Sequence, residues 1–418
     1  MNKCYKGADI LLPNFKKHSA EQWSVVACDQ FTSEVEYWHR AEKFVGDAPS
    51  TLNMILPEVY LDETEVRIEK INECMKKYAA DILVEHPDAM IYVRRTQSDG
   101  TVRHGIVMAI DLEAYDYKKG APSLIRATEA TVIERIPPRV AIRRNAPLEL
   151  PHVMLLVDDP EDSVFSMLKT KDTADALYDF DLMLGGGHIM GCMLSAEDKT
   201  NISAALDALI TSDAMRKKYG DGALAPLLFA VGDGNHSLAS AKATYEEIKA
   251  KLGGAAIDHP SRYALVEVVN IHDEALKFEP IYRIMTDVDA EDVLSSLSEY
   301  IDTLDGTAEP QKIDYICGKR EGSLTVSTPK QQLTVGTLQI FIDEYIKLHE
   351  GAKVDYIHGE DSVKTLAQKP NSIGFMFDGM AKSQLFKTVI FDGALPRKTF
   401  SMGHAVDKRY YLECRKIK

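Results

Sequence analysis

At 418 residues the chain is long enough for two or three domains at about 150 residues each, and it can bury a core without disulfide or metal staples. Lys plus Arg number 49 against 64 Asp plus Glu, a formal charge of −15 with a pI near 5.3; this argues against a protein that coats nucleic acid or lies on an anionic membrane. An apolar fraction of 45% and a charged fraction of 27% are those of a globular protein and count against disorder, collagen and coiled coil.

The six cysteines (Cys4, Cys28, Cys74, Cys192, Cys317, Cys414) are scattered with no CxxC pair. That fits neither a zinc knuckle nor a secreted disulfide framework. Residues 1–10 carry two lysines with no apolar run of signal-peptide length after them. The most apolar stretch, 223–231, is broken by Pro226 and too short to span a bilayer. A soluble protein of the reducing cytoplasm is expected.

In chain order, residues 63–83 keep Val66, Ile68, Ile71, Met75 and Tyr78 at roughly helical spacing and predict a helix. Residues 89–96 and 101–110 read as two strands around the turn Ser98-Asp99-Gly100. Residues 172–183 and 199–214 look helical, with the glycine-rich loop Gly185-Gly186-Gly187-His188 between them. A short strand over 227–231, a helix over 236–252 and a strand over 263–270 follow. From residue 290 the pattern becomes helix, hairpin, helix and short strands. The expected division is an α/β core over 1–289 and an α+β portion over 290–418.

The clearest chemical signal is Phe229-Ala-Val-Gly-Asp-Gly-Asn-His-Ser237, a strand, a glycine turn and a helix start. Unpaired N–H groups and the positive dipole end at a helix N-terminus suit an anion such as phosphate. Gly232 and Gly234 let the backbone approach it, His236 and Ser237 add side-chain donors, and Lys242 could add charge one turn later. The alternative is an Asp-Gly turn in which Asp233 or Asn235 caps the helix. No Gly-Lys-Ser/Thr follows, so this is not a Walker loop.

A second signal is electrostatic. Residues 124–152 hold Arg126, Arg135, Arg139, Arg143 and Arg144 against three glutamates. Pro137 and Pro138 would start a helix that places Arg139 and Arg143 on one face. Arginine grips phosphate or carboxylate bidentately, although most such clusters are solvated faces paired with nearby acids. Glu129 beside these cations, and Asp29 after the apolar run Val25-Val-Ala-Cys28, are candidate general bases. Pro396-Arg-Lys-Thr-Phe400 is a third cationic, hydroxyl-bearing segment. The glycine loop before His188 reads as a loop and Asp158, Asp159 and Asp162 as an acidic surface turn rather than a magnesium site. The histidines lack paired ligand spacing, and no side-chain metal site is expected.

With these segments in order, the chain resembles the bacterial and archaeal family catalogued as domain of unknown function 1015 over nearly its whole length. Asp29, Glu129-x-Thr131, Arg139 with Arg144, Asp233-Gly-Asn-His236 and Pro396-x-Lys398-Thr399 carry the resemblance. The turn's typical form there is Asp-Gly-His-His-Arg. Asn235 stands here at the first His and Ser237 at the Arg, which marks a divergent branch. The same turn is similar to the phosphate-binding turn of the ParB/sulfiredoxin superfamily, which includes free-serine kinases. Sulfiredoxins carry a reactive cysteine before the His, where this chain has Asn235. ParB proteins bind CTP and act on DNA, which the acidic balance here disfavours.

The resemblance implies a mixed α/β fold, with a ParB/sulfiredoxin-like core and an additional C-terminal α+β portion that completes the cleft. It implies a phosphotransferase acting on L-serine or O-phosphoserine, with ADP, ATP or pyrophosphate as co-substrate and magnesium carried as a phosphate-bound ion. Asp233, Gly234, Asn235, His236 and Ser237 would hold the phosphate, Arg139 and Arg144 neutralise it, and Lys398 and Thr399 close over the donor. Glu129 or Asp29 would take the serine proton, with His236 a third candidate catalytic group. A phosphoserine phosphatase using the same site and a ParB-like non-catalytic nucleotide-binding switch are the alternatives. The expected partner is a small phosphorylated ligand, with no nucleic acid and no membrane.

Overall fold

The hairpin predicted around Ser98-Asp99-Gly100 lies at the centre of a ten-stranded sheet. Ile91–Thr96 and Val102–Asp111 pair antiparallel from Ile91↔Val107 to Thr96↔Val102. Asp99 Oδ1 accepts from the Thr101 N–H at 3.0 Å and pins the turn. The structure is a computed structural model that describes residues 3–27, 30–129 and 136–418. Its chain is a mixed α/β protein that divides into two units, one of residues 1–127, 131–276 and 403–418, the other of 128–130 and 277–402.

In the first unit Tyr263–Asn270 pairs antiparallel with Val102–Asp111 and runs parallel to Met154–Val157, which is followed by Phe229–Asp233, Ile125–Arg126 and Tyr115–Asp116. His188–Met193 and Ala176–Asp181 extend the opposite side. Apolar residues in the central strands alternate between two cores, one on each face. Ile106, Met108 and Ile110 join Val266 and Val268 on one face, while Val107 and Ala109 join Leu265 on the other. The first face is covered by Ile202 and Leu206 of helix Ala196–Leu209 and by Leu238, Ala241 and Tyr245 of helix Asn235–Leu252. The second is covered by Ile71, Met75 and Tyr78 of helix Thr64–Asp81 and by a four-stranded sheet. That sheet is ordered Leu83–Ala89, Ala8–Pro13, Cys414–Lys416, Leu148–Glu149, so it joins both ends of the chain.

The second unit is an antiparallel sheet ordered Arg320–Val326, Gln311–Cys317, Ser372–Met376, Phe278–Thr286, Lys353–His358, with Phe400–Met402 also on Phe278–Thr286. Helices Ala290–Asp302, Thr334–Leu348, Glu360–Leu366 and Lys382–Phe391 complete it. The helix, hairpin, helix pattern read from residue 290 is the one observed. The unit begins earlier, because Phe278–Thr286 takes its ladder partners from Lys353–His358 and Ser372–Met376. Residues 403–418 return to the first unit, since Cys414–Lys416 pairs with Ala8–Pro13. Among the described residues no helix is long and apolar enough to cross a membrane.

Two local expectations are corrected. Residues 172–183 are a 3-10 turn, Thr173–Asp175, and then a strand, Ala176–Asp181. Tyr178 is drawn inside, where its hydroxyl donates to Glu413 Oε1 at 2.6 Å, and pairing with His188–Met193 overrides helix propensity. The helix expected over 199–214 is two, Ala196–Leu209 and Ser212–Tyr219, because the Thr211 hydroxyl caps the second at Ala214 N.

Glu413 is fully buried, and burial pushes its carboxyl from 4.5 up to about 7 despite the lowering hydrogen bond from Tyr178. A raised folded value means that the contribution to stability is complete below 4.5 and lost as pH rises through about 7. Glu413→Gln keeps an acceptor for Tyr178 and is expected to stabilise the protein by about 2–3 kcal/mol at pH 8 and by nothing at pH 4. Urea unfolding at both pH values checks this; an equal effect at the two would rule out titration of Glu413.

Candidate functional site

Strand Phe229–Asp233 lies between Met154–Val157 and Ile125–Arg126, with Phe229, Ala230 and Val231 wholly buried. It leads through Gly234 into helix Asn235–Leu252. Gly234 has φ +83°, and a Cβ there would meet Val153 Cα and Cγ2 at 3.1 Å, so the turn needs glycine for conformation and for space. Leu238 N–H is the first to bond back, to the Gly234 carbonyl at 3.0 Å. Gly234, the residue before the helix, has no side chain with which to cap its start. This is the positive end of an 18-residue helix. Asn235 is buried, and His236 and Ser237 are half-buried.

Asp233 orders the turn. Its Oδ1 accepts the Gly234 N–H at 2.8 Å, and its Oδ2 faces Lys408 Nζ at 3.1 Å. Lys408 had no part in the sequence reading. It arrives because residues 408–410 lie antiparallel to 25–27: Ala27 N–H donates to the Lys408 carbonyl at 2.8 Å, and Tyr410 N–H to the Val25 carbonyl at 3.1 Å. Asp29, Cys28, Thr131 and Arg135 lie outside the described residues.

The arginine cluster resolves into ion pairs. In helix Ile136–Asn145, Arg139 pairs with Glu58 at 2.7 Å, Arg143 with Glu149, and Arg144 with Glu247 at 3.0 Å. Arg126 is buried on the carbonyls of Ser123, Ala225 and Pro226. Glu247 is twelve residues down helix Asn235–Leu252, about 18 Å from its start at 1.5 Å per residue. Arg144 is therefore held away from the turn. Lys242 is too, because it donates to the Leu112 carbonyl and pairs with Glu246.

In the second unit Glu129 is exposed and forms an isolated parallel bridge with Leu395, beside the Leu395 N–H bond to the Thr128 carbonyl at 2.7 Å. Glu129 thus shares a segment pairing with the 396–399 turn. Lys398 is exposed at φ +53°; its carbonyl accepts from Arg283, a wholly buried guanidinium that also bonds the Arg397 carbonyl and Gln339. Burial lowers Arg283 to about 10. Thr399 is buried with its hydroxyl on the Pro396 carbonyl at 2.6 Å. It shapes the turn rather than presenting a donor to solvent.

The three acids Asp158, Asp159 and Asp162 are not a surface turn. Asp158 is buried among His272, Tyr219 and Lys218, Asp159 is bonded by Ser163 and Val164 N–H, and Asp162 pairs with Lys169. His188 bridges Asp179 and Asp181 across the hairpin. Burial opposes its charged form, but the two carboxylates prevail and raise it. Among the described residues no group of three His, Cys, Asp or Glu is placed to hold a metal.

The profile of a family described as "Protein of unknown function (DUF1015)" matches residues 13–388. The chain belongs to this family. Lys398, Thr399 and Lys408 lie beyond the matched span of this DUF1015 chain. None of the curated proteins compared with it matches. Among solved structures, a mutant free serine kinase in complex with AMP is 10% identical with a TM-score of 0.35, covering 71% of this chain and 87% of that one. A second mutant of free serine kinase, with ADP, is 10% identical at 0.36 over 72% and 88%. A conserved hypothetical protein from Pyrococcus furiosus is 11% identical at 0.33 over 71% and 90%.

Proposed function

We propose that the chain is a small-molecule phosphotransferase of the serine kinase type, moving a phosphoryl group between L-serine and ADP, ATP or pyrophosphate. The observation that supports this best is the glycine turn: Asp233 and Gly234 lead from a buried strand into the positive end of an 18-residue helix. The positive end of the helix would attract phosphate, and Asp233, Gly234, Asn235, His236 and Ser237 are the residues proposed to hold it. Phosphoryl transfer needs mainly positioning and charge neutralisation.

Magnesium would be bound on the phosphates, where it neutralises charge. Glu129 is proposed to accept the serine hydroxyl proton, with Asp29 as the second candidate. Arg139, half-buried against Glu58, and exposed Lys398 remain proposed phosphate contacts.

Phosphorus NMR of the protein with magnesium, serine and each phosphate donor tests this directly. A growing phosphoserine resonance is the expected result, and the parallel tube with phosphoserine reports the reverse direction. Saturable ADP binding without turnover would move the reading to a nucleotide-binding switch. The absence of both binding and turnover would overturn the phosphate site.

A further inference from the structure

We propose that Lys408 is the cation that receives phosphate at the glycine turn, and that Asp407, Arg409 and Arg95 form a buried frame that positions it. This rests on the phosphate-site reading above. Lys408 Nζ lies 3.1 Å from Asp233 Oδ2, and Asp233 is fixed by its bond to Gly234 N–H, so the ammonium stands beside the helix start. Both side chains are 29% exposed, open to a ligand from solvent. Asp233 occupies one of the three ammonium donors.

The neighbours of Lys408 behave differently. Asp407 and Arg409 are buried. Asp407 accepts from the Ser98 N–H and hydroxyl, both at 2.8 Å. Arg409 donates to the carbonyls of Val406, Met183 and Ser24. Arg95, also buried, donates to the carbonyls of Gly186 at 2.6 Å and Asp407 at 3.2 Å. The fixed donor geometry of a buried guanidinium admits few arrangements of the chain around it. Burial lowers both, Arg95 to about 9. Of three consecutive charged residues, two are locked inside and the third is directed to Asp233.

The test is calorimetric titration of ADP and of pyrophosphate into wild type, Lys408→Met, Lys408→Arg, Asp407→Asn and the Lys408→Met/Asp407→Asn double variant, with melting temperatures alongside. Lys408→Met is expected to weaken binding by about tenfold or more with little change in melting, because a part-exposed ion pair contributes little to stability. Lys408→Arg is expected to recover most of the affinity. Asp407→Asn should weaken binding alone yet add nothing in the double variant, the non-additivity of a residue acting through Lys408. Wild-type affinity in Lys408→Met overturns the assignment, and additive losses remove Asp407 from it. Wild type binding neither probe would instead overturn the phosphate-site reading and this assignment with it.

Discussion

Glu129→Gln is expected to lower phosphoserine formation by about 10²–10⁴-fold, the usual contribution of a positioned general base, while leaving ADP affinity largely intact. Glutamine keeps the shape and an acceptor oxygen but cannot take the hydroxyl proton. Glu129 is exposed, and its segment makes a backbone pairing with Leu395 that the substitution does not touch. Rate and binding therefore report on separate things. Loss of both together would mean that Glu129 shapes the ligand site; unchanged turnover would remove it from the mechanism and direct the same test to Asp29→Asn.

Arg103→Met is expected to destabilise the protein by about 3–5 kcal/mol, the penalty for leaving one partner of a buried ion pair uncompensated. Arg103 Nη2 lies 2.8 Å from Glu267 Oε2, with side-chain exposures of 10% and 1%. The pair bridges neighbouring central strands, Val102–Asp111 and Tyr263–Asn270. Gly105 makes room for it, since a Cβ there would come within 2.2 Å of Glu267 Oε1. Neither Arg103 Nε nor Glu267 Oε1 has a further hydrogen-bond partner among the described residues. Burial alone would push the Arg103 guanidinium down, and the facing carboxylate reverses this. The double variant Arg103→Met/Glu267→Leu is expected to regain most of the loss, because apolar replacement of a whole buried pair is often neutral. Urea unfolding of the three proteins decides it: a loss under about 1 kcal/mol in the single variant would mean that the Arg103–Glu267 pair is not the buried tie between the two strands.

These two predictions draw on different levels of information. Glu129 is a candidate that comes from the sequence, as a carboxylate beside cations, and its role is a proposal. Arg103 and Glu267 were not legible there, because their strands are far apart in the chain and each residue alone reads as an ordinary charge on an alternating strand. Lys408 was hidden for the same reason. It sits in a short charged tail segment without periodicity, and only pairing with residues 25–27 brings it to Asp233.

What the sequence by itself determined is local. The hairpin around Ser98-Asp99-Gly100, the helix at Thr64–Asp81, the strand Tyr263–Asn270 and the turn Gly232-Asp233-Gly234 before a helix all follow from turn chemistry and hydrophobic period. Family membership was also readable, because several short motifs keep one order. Tertiary structure alone decided strand Ala176–Asp181, the return of the C-terminus to the first unit and the use of the arginines. Arg139 finds Glu58 and Arg144 finds Glu247 across long stretches of chain. A cation's position in sequence reveals its charge, whereas the acid it pairs with is chosen by packing.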